Sequence, residues 1–159
     1  MTGFYLFVSS EDSKAYHAEN CYHEFIVELG RTYDLSDNSY IKSRGQWCMA
    51  LVEIKLENLE SDESSLSPEL KDEVLIICDL VTVSYVKGTE ARVLRPLGLN
   101  ERSLFATISQ AYYIELSRLT FSRLKISIFD RDLNKLAKKN GWPTEEKWKL
   151  SCTLHFQKM

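Results

Sequence analysis

The chain has 159 residues, is 44% apolar and 27% charged, and carries a formal net charge of -3. These values suit a soluble globular domain and exclude a disordered tail or a membrane-spanning bundle. A chain of this length buries roughly 70% of the surface that its unfolded form exposes, so a single core needs neither disulfide nor metal. The small negative charge argues against binding dominated by phosphate contacts.

In chain order, period-two alternation of apolar and polar residues predicts eight strands. Phe4–Ser9 comes first, an apolar run too short and too poorly flanked for a signal peptide, which reads as a protein made and folded inside a cell. In Glu24–Leu29, Phe25, Val27 and Leu29 point inward while Glu24 and Glu28 point out. Along Gln46–Leu56 the apolar phase shifts from Trp47, Met49 and Leu51 to Val52, Ile54 and Leu56, as a β-bulge near Ala50 or a bend between sheets would produce. The segment 58–72 holds five of the seven acids found between Glu57 and Glu73, with four serines, and reads as a mobile acidic surface loop. Val74–Val86 is apolar on both faces for much of its length, which suits a central strand or one covered by a partner. Ala91–Leu97, Ala111–Leu116 and Leu124–Phe129 follow. Asp130 to Asn140 reads as one short helix, capped by Asp130 or Asp132 and stopped by Asn140-Gly141. Trp148–Phe156 closes the series with the clearest alternation, Trp148, Leu150, Cys152, Leu154 and Phe156 against Lys149, Ser151, Thr153 and His155. Eight strands joined by long connections, one short helix and no βαβ pattern predict an all-β, eight-stranded single jelly-roll sandwich spanning 1–159.

Chemistry-bearing patterns are sparse. His17, His23 and His155 share no ligand spacing, and the pair of histidines that a metal-binding cupin barrel needs is absent. Cys21, Cys48, Cys78 and Cys152 lack the close spacing of zinc sites and read as small buried hydrophobes in a reducing compartment. Asp34, Asp37 and Asn38 offer oxygens to a calcium ion but suit a turn better. Lys135, Lys138 and Lys139, with Trp142 and Trp148 nearby, offer phosphate and base contacts, against the commoner reading of a solvated helix face. Tyr112 and Tyr113 point to opposite strand faces, one toward the core and one toward a neighbour. His155, on the polar face of the last strand, reads as a surface or interface residue or a pH-sensitive contact. The chain therefore reads as a non-catalytic protein with no cofactor, no metal, no specific nucleic acid and no membrane insertion.

Several stretches, taken in order, resemble the single-jelly-roll vertex protein, the penton or minor capsid protein, of the Polinton, adintovirus and virophage assemblage of double-stranded DNA viruses. They are Phe4-Tyr-Leu-Phe-Val-Ser-Ser10, Phe25-Ile-Val-Glu-Leu29, Gly45-Gln-Trp-Cys-Met-Ala-Leu-Val-Glu-Ile54, Ile77-Cys-Asp-Leu-Val81, Val93-Leu-Arg95, Ile126 to Asp130 and Leu154-His-Phe156. The most specific carries a family-like core motif of Trp47, Ala50, Leu51, Glu53 and Ile54. Family members often turn at a proline soon after the Glu-Ile pair, whereas here Lys55-Leu-Glu-Asn58 leads into the acidic loop. The resemblance implies a homopentamer at capsid vertices among double-jelly-roll major capsid proteins, located in the virion after assembly inside the host cell, in the nucleus. It also implies that Asp79 and Arg95 lie near a subunit contact, with an internal salt bridge or a surface pair as the other reading. A different class of function on the same fold is a binding module, either lectin-like or a nucleoplasmin-like histone chaperone using the acidic loop.

Overall fold

The computed structural model describes residues 3–36, 45–58, 73–98, 105–134 and 148–159. Among them are eleven strands: β1 Gly3–Ser9, β2 Glu24–Asp34, β3 Trp47–Asn58, β4 Glu73–Cys78, β5 Ser84–Val86, β6 Thr89–Ala91, β7 Val93–Gly98, β8 Phe105–Thr107, β9 Ile114–Glu115, β10 Thr120–Asp130 and β11 Trp148–Lys158. One sheet runs β1-β11-β3-β8, with β9 also paired to β3, and the second runs β2-β10-β4-β7. Every pairing is antiparallel. Each sheet thus has four positions, the last of the first sheet shared by β8 and β9, which makes the eight-position double sheet of a jelly roll. The small β5–β6 hairpin is an addition to it.

Alternation explains the two-layer core. On β11, Trp148, Leu150, Cys152, Leu154 and Phe156 are buried while the residues between them are half-buried. On β10, Leu124, Ile126 and Ile128 face them from the other sheet. At one end the layers are joined by four rings, Phe4 and Phe156 from the first sheet and Tyr33 and Phe121 from the second, with centroids 4.8 to 5.7 Å apart around the cluster. Stacked rings of this kind contribute about 0.5–1.5 kcal/mol per pair beyond their burial.

The expected bulge lies in β3. Thr153 pairs with Glu53 and Leu154 with Leu51, so Val52 is the extra residue. It is this insertion that lets Met49, Leu51, Ile54 and Leu56 all face the core. A second irregularity bends β2, where Glu28 and Tyr33 oppose Arg123 and Phe121, and Gly30 supplies a positive φ of 72°.

Three expectations are corrected. Val74–Val86 is not one strand, because β4 ends at Cys78 and a turn follows in which Asp79 Oδ1 accepts from Lys125 N at 2.8 Å. Leu80 and Val81 beyond it are fully buried, so core filling explains that part of the apolar run, whereas Val83 and Tyr85 farther on are exposed at 40% and 71%. The expected strand Ala91–Leu97 is interrupted at Arg92, between β6 and β7. The short helix is absent among the described residues: Asp130 to Asn134 form a turn, with Leu133 at φ 62°. Residues 135–140 lie outside the described residues, as do 59–72 of the acidic loop.

Candidate assembly surfaces

The outer face of the first sheet is built by rows running across its strands. One row is Tyr5, His155 and Ala50; the next is Phe7, Thr153 and Glu53. Phe4, Leu6 and Val8 turn toward the core, which leaves Tyr5 and Phe7 outward at 55% and 78% exposure. An apolar ring in water at that exposure is a cost to the isolated chain that a covering partner removes.

His155 is held on both sides. Tyr5 stacks on it with centroids 4.3 Å apart, and the Tyr113 hydroxyl shares a 2.6 Å hydrogen bond with Nδ1. Burial, with a smaller effect from Tyr5, pushes the Tyr113 phenol up, so that it remains protonated and able to donate. Ala50 pairs with His155 in this row and is fully buried although its strand position faces outward. The expected division of Tyr112 and Tyr113 between core and neighbour is thus corrected, since neither ring enters the core. Tyr112 is 61% exposed and lies under the Arg95 guanidinium at 4.3 Å.

The outer face of the second sheet carries a cleft of about 470 Å³. Its floor is Ile77, Ser127 and Phe129, its walls are Val83 and Ala91 of the β5–β6 hairpin region on one side and Leu133 on the other. The hairpin folds back at Lys87 and Gly88, both at positive φ, a two-residue turn that suits the twist of a hairpin. The charged lining of the cleft is Arg92 and Lys125 against Glu24, Asp79 and Glu90. Glu24 pairs with Lys125 at 2.6 Å, and Asp79 pairs with Arg118 at 3.1 Å. Arg92 donates to the Val81 carbonyl at 2.7 Å.

The three residues singled out for an interface fall in three places. His155 is on the outer face of the first sheet, Asp79 is at the cleft of the second, and Arg95 bridges the sheets at their edge by donating to the Gln110 carbonyl at 3.0 Å. Arg95 Nε is shielded from solvent and meets no acceptor among the described residues. Asp79 and Arg95 are each engaged within the chain, and with different partners.

Within the core motif, Ala50, Leu51 and Ile54 are buried, Trp47 packs against the core edge beside Phe4, and Glu53 stays half-exposed on the outer face. Trp148 is 9% exposed and belongs to the core, which removes it as a base-stacking ring. Lys135, Lys138, Lys139 and Trp142 lie outside the described residues.

The histidines stay apart, His17 on Glu28 at 2.8 Å and His23 beside Cys21 Sγ at 3.4 Å. Cys48, Cys78 and Cys152 are buried and all four cysteines are free. Asp34 closes a turn on Ser36, hydrogen bonds that hold its carboxyl below the usual range, while Asp37 and Asn38 lie outside the described residues. No group of three or more potential metal ligands occurs among the described residues.

Sequence reasoning missed the cleft, because its walls come together only when the hairpin folds back across the sheet. The exposed Phe7 and Tyr5 did carry a signal: in Phe4-Tyr-Leu-Phe-Val8 both phases of the strand are apolar or aromatic, one phase more than a core requires.

No protein-family model matches the chain, and neither does any curated protein. Among solved structures, the chain is similar to the crystal structure of the mavirus penton protein, with a TM-score of 0.55 and 7% identity over 99% of this chain and 100% of that one. At that identity the likeness shows the fold: the chain is a penton-like single jelly roll.

Proposed function

We propose that this chain is a structural capsid protein, the vertex subunit of a double-stranded DNA virus of the Polinton, adintovirus and virophage kind. In this reading it assembles as a homopentamer among double-jelly-roll major capsid proteins, is found in the virion, assembles in the host-cell nucleus and catalyses nothing. The observation that carries the reading is the likeness in fold to a penton protein over 99% of this chain and 100% of that one. Exposed aromatic surface on an otherwise well-packed sandwich supports it, since large uncovered rings mark places where a partner sits.

Mass measurement in solution together with negative-stain imaging tests the proposal. A five-fold ring, alone or with the major capsid protein, is the expected result, and a chain that stays monomeric and never enters particles would sink the reading. Asp79 and Arg95 are proposed to lie near the subunit contact; an Asp79→Ala, Arg95→Ala double variant that still forms rings at the unmodified concentration removes that assignment.

A further inference from the structure

We infer that the open edge of β1 is a docking site for an extended strand of a partner protein, which pairs with the backbone of Tyr5 and Phe7 and adds one position to the first sheet. This rests on the edge alone and not on the vertex reading, so either can fail while the other stands.

The register of β1 on β11 fixes which backbone groups are free. Ser10 N donates to the Leu150 carbonyl at 2.8 Å, continuing the line of pairs that includes Val8 with Cys152, Leu6 with Leu154 and Phe4 with Phe156. In an antiparallel ladder these alternate residues turn their N–H and C=O groups to the neighbouring strand, and the residues between them turn theirs away. Ser9 agrees, since its N–H faces outward and is met by Asp12 Oδ2 at 2.9 Å. Tyr5 and Phe7 are in the same phase, and nothing meets their outward backbone groups among the described residues.

The other sheet edges are closed by the chain itself. On β2, Asn20 Oδ1 accepts from Ile26 N at 3.0 Å, Asn20 Nδ2 donates to the Ile26 carbonyl at 2.8 Å, and Ser13 Oγ accepts from Glu28 N at 2.9 Å. β7 carries Arg95 and Pro96, and the fourth edge is divided between β8 and β9, of three and two residues. Cover, charge, proline and brevity are the usual means by which an edge is kept from pairing. From Gly3 to Val8, β1 has no charge and no proline, and its register on β11 runs without a shift.

Two outward N–H and C=O pairs one strand repeat apart, about 6.8 Å, match an extended backbone, the mode in which a peptide adds a strand to a sheet. The side chains specify it further. Tyr5 and Phe7 stand on the outer face at 55% and 78% exposure, and Phe4 and Leu6 on the inner face are only half-buried at the rim of the core. A strand laid along β1 places alternate side chains beside the two rings and the others against Phe4 and Leu6, so apolar residues suit its inner phase and aromatic or β-branched ones its outer phase. A second copy fits less well. In the two-fold register that sets Tyr5 of each copy opposite Phe7 of the other, Gly3 opposes Ser9, and Asp12 already occupies that position at both ends. A segment of a different protein that ends opposite Phe7 avoids this clash.

The probe is a random peptide library selected against the full chain, followed by titration of one selected peptide. Selected peptides are expected to place apolar residues with period two. The bound peptide is expected to slow amide exchange at Tyr5 and Phe7, which is fast in the chain alone, while Phe4, Leu6 and Val8 are protected throughout. Phe7→Val and Phe7→Pro both remove the ring, and only the proline removes the outward N–H, a change that an edge strand tolerates. Phe7→Pro is expected to bind the peptide about five- to tenfold more weakly than Phe7→Val. A selection without a period-two consensus, a bound peptide that leaves Tyr5 and Phe7 exchanging freely, or equal binding by the two folded variants overturns the site. Protection of these two amides that rises with the concentration of the chain alone assigns the edge to a second copy and overturns the partner. Should the proline unfold the chain, the exchange measurement decides by itself.

Discussion

Asp130 ends β10 with a carboxylate only 2% exposed, and Oδ1 accepts from the backbone N–H of Asp132 at 2.9 Å and of Asn134 at 2.8 Å, while Oδ2 takes the Asn134 side chain at 3.2 Å. Asp130→Ala leaves these donors without their acceptor in a buried place, and a loss of about 2 kcal/mol is expected in urea unfolding. Replacement by Asn, which keeps one acceptor oxygen, is expected to lose less.

The buried thiols of Cys78 and Cys152 set an alkaline limit. Burial pushes each up to about 12 from an ordinary 9.0. Between those values the unfolded chain has released these protons and the folded chain has kept them, so stability is full below pH 9 and falls as pH rises toward 12. A Cys78→Ala, Cys152→Ala variant is less stable at neutral pH because of the cavities, yet is expected to show a flatter decline across that window when denaturant midpoints are compared.

At the scale of elements, the β5–β6 turn is held by Lys87 at φ 48° and Gly88 at φ 80°. A Cβ at Gly88 would meet nothing within 4 Å, so Gly88→Ala carries backbone strain alone, about 1–2 kcal/mol. Hydrogen exchange is expected to quicken in residues 84–91 and to stay unchanged in β4 and β10.

Legibility in the sequence followed the physical origin of each feature. β11 was readable because one of its faces is core and the other is not, so that Trp148 to Phe156 alternate cleanly. The β3 bulge was readable from the same alternation, since one extra residue, Val52, flips the phase. β8 at Phe105–Thr107 and the break after Cys78 were not, because short edge strands and turns depend on what packs beside them. His155 was recognised as a surface residue of interest. Its clamp between Tyr5 and Tyr113 joins residues from β1, β11 and the segment before β9, and no local pattern contains that.

For the whole molecule, the pairing of β1 with β11 closes a loop nearly as long as the chain itself, and that of β2 with β10 one of more than half its length. Non-local pairing of this kind slows folding, because the entropy of closing each loop is lost before its contacts form. Stopped-flow refolding is expected in the range of about milliseconds to seconds, and a microsecond phase accounting for the full amplitude would contradict the topology.

The position of β11 has a consequence for biosynthesis. It lies between β1 and β3, and the ribosome delivers it after the other ten strands. Until it emerges, the first sheet lacks its central member, Phe156 is missing from the ring cluster, and His155 is not there to organise Tyr5 and Tyr113. A nascent copy therefore holds β1 and β3 with open edges and without their shared partner until its last strand emerges.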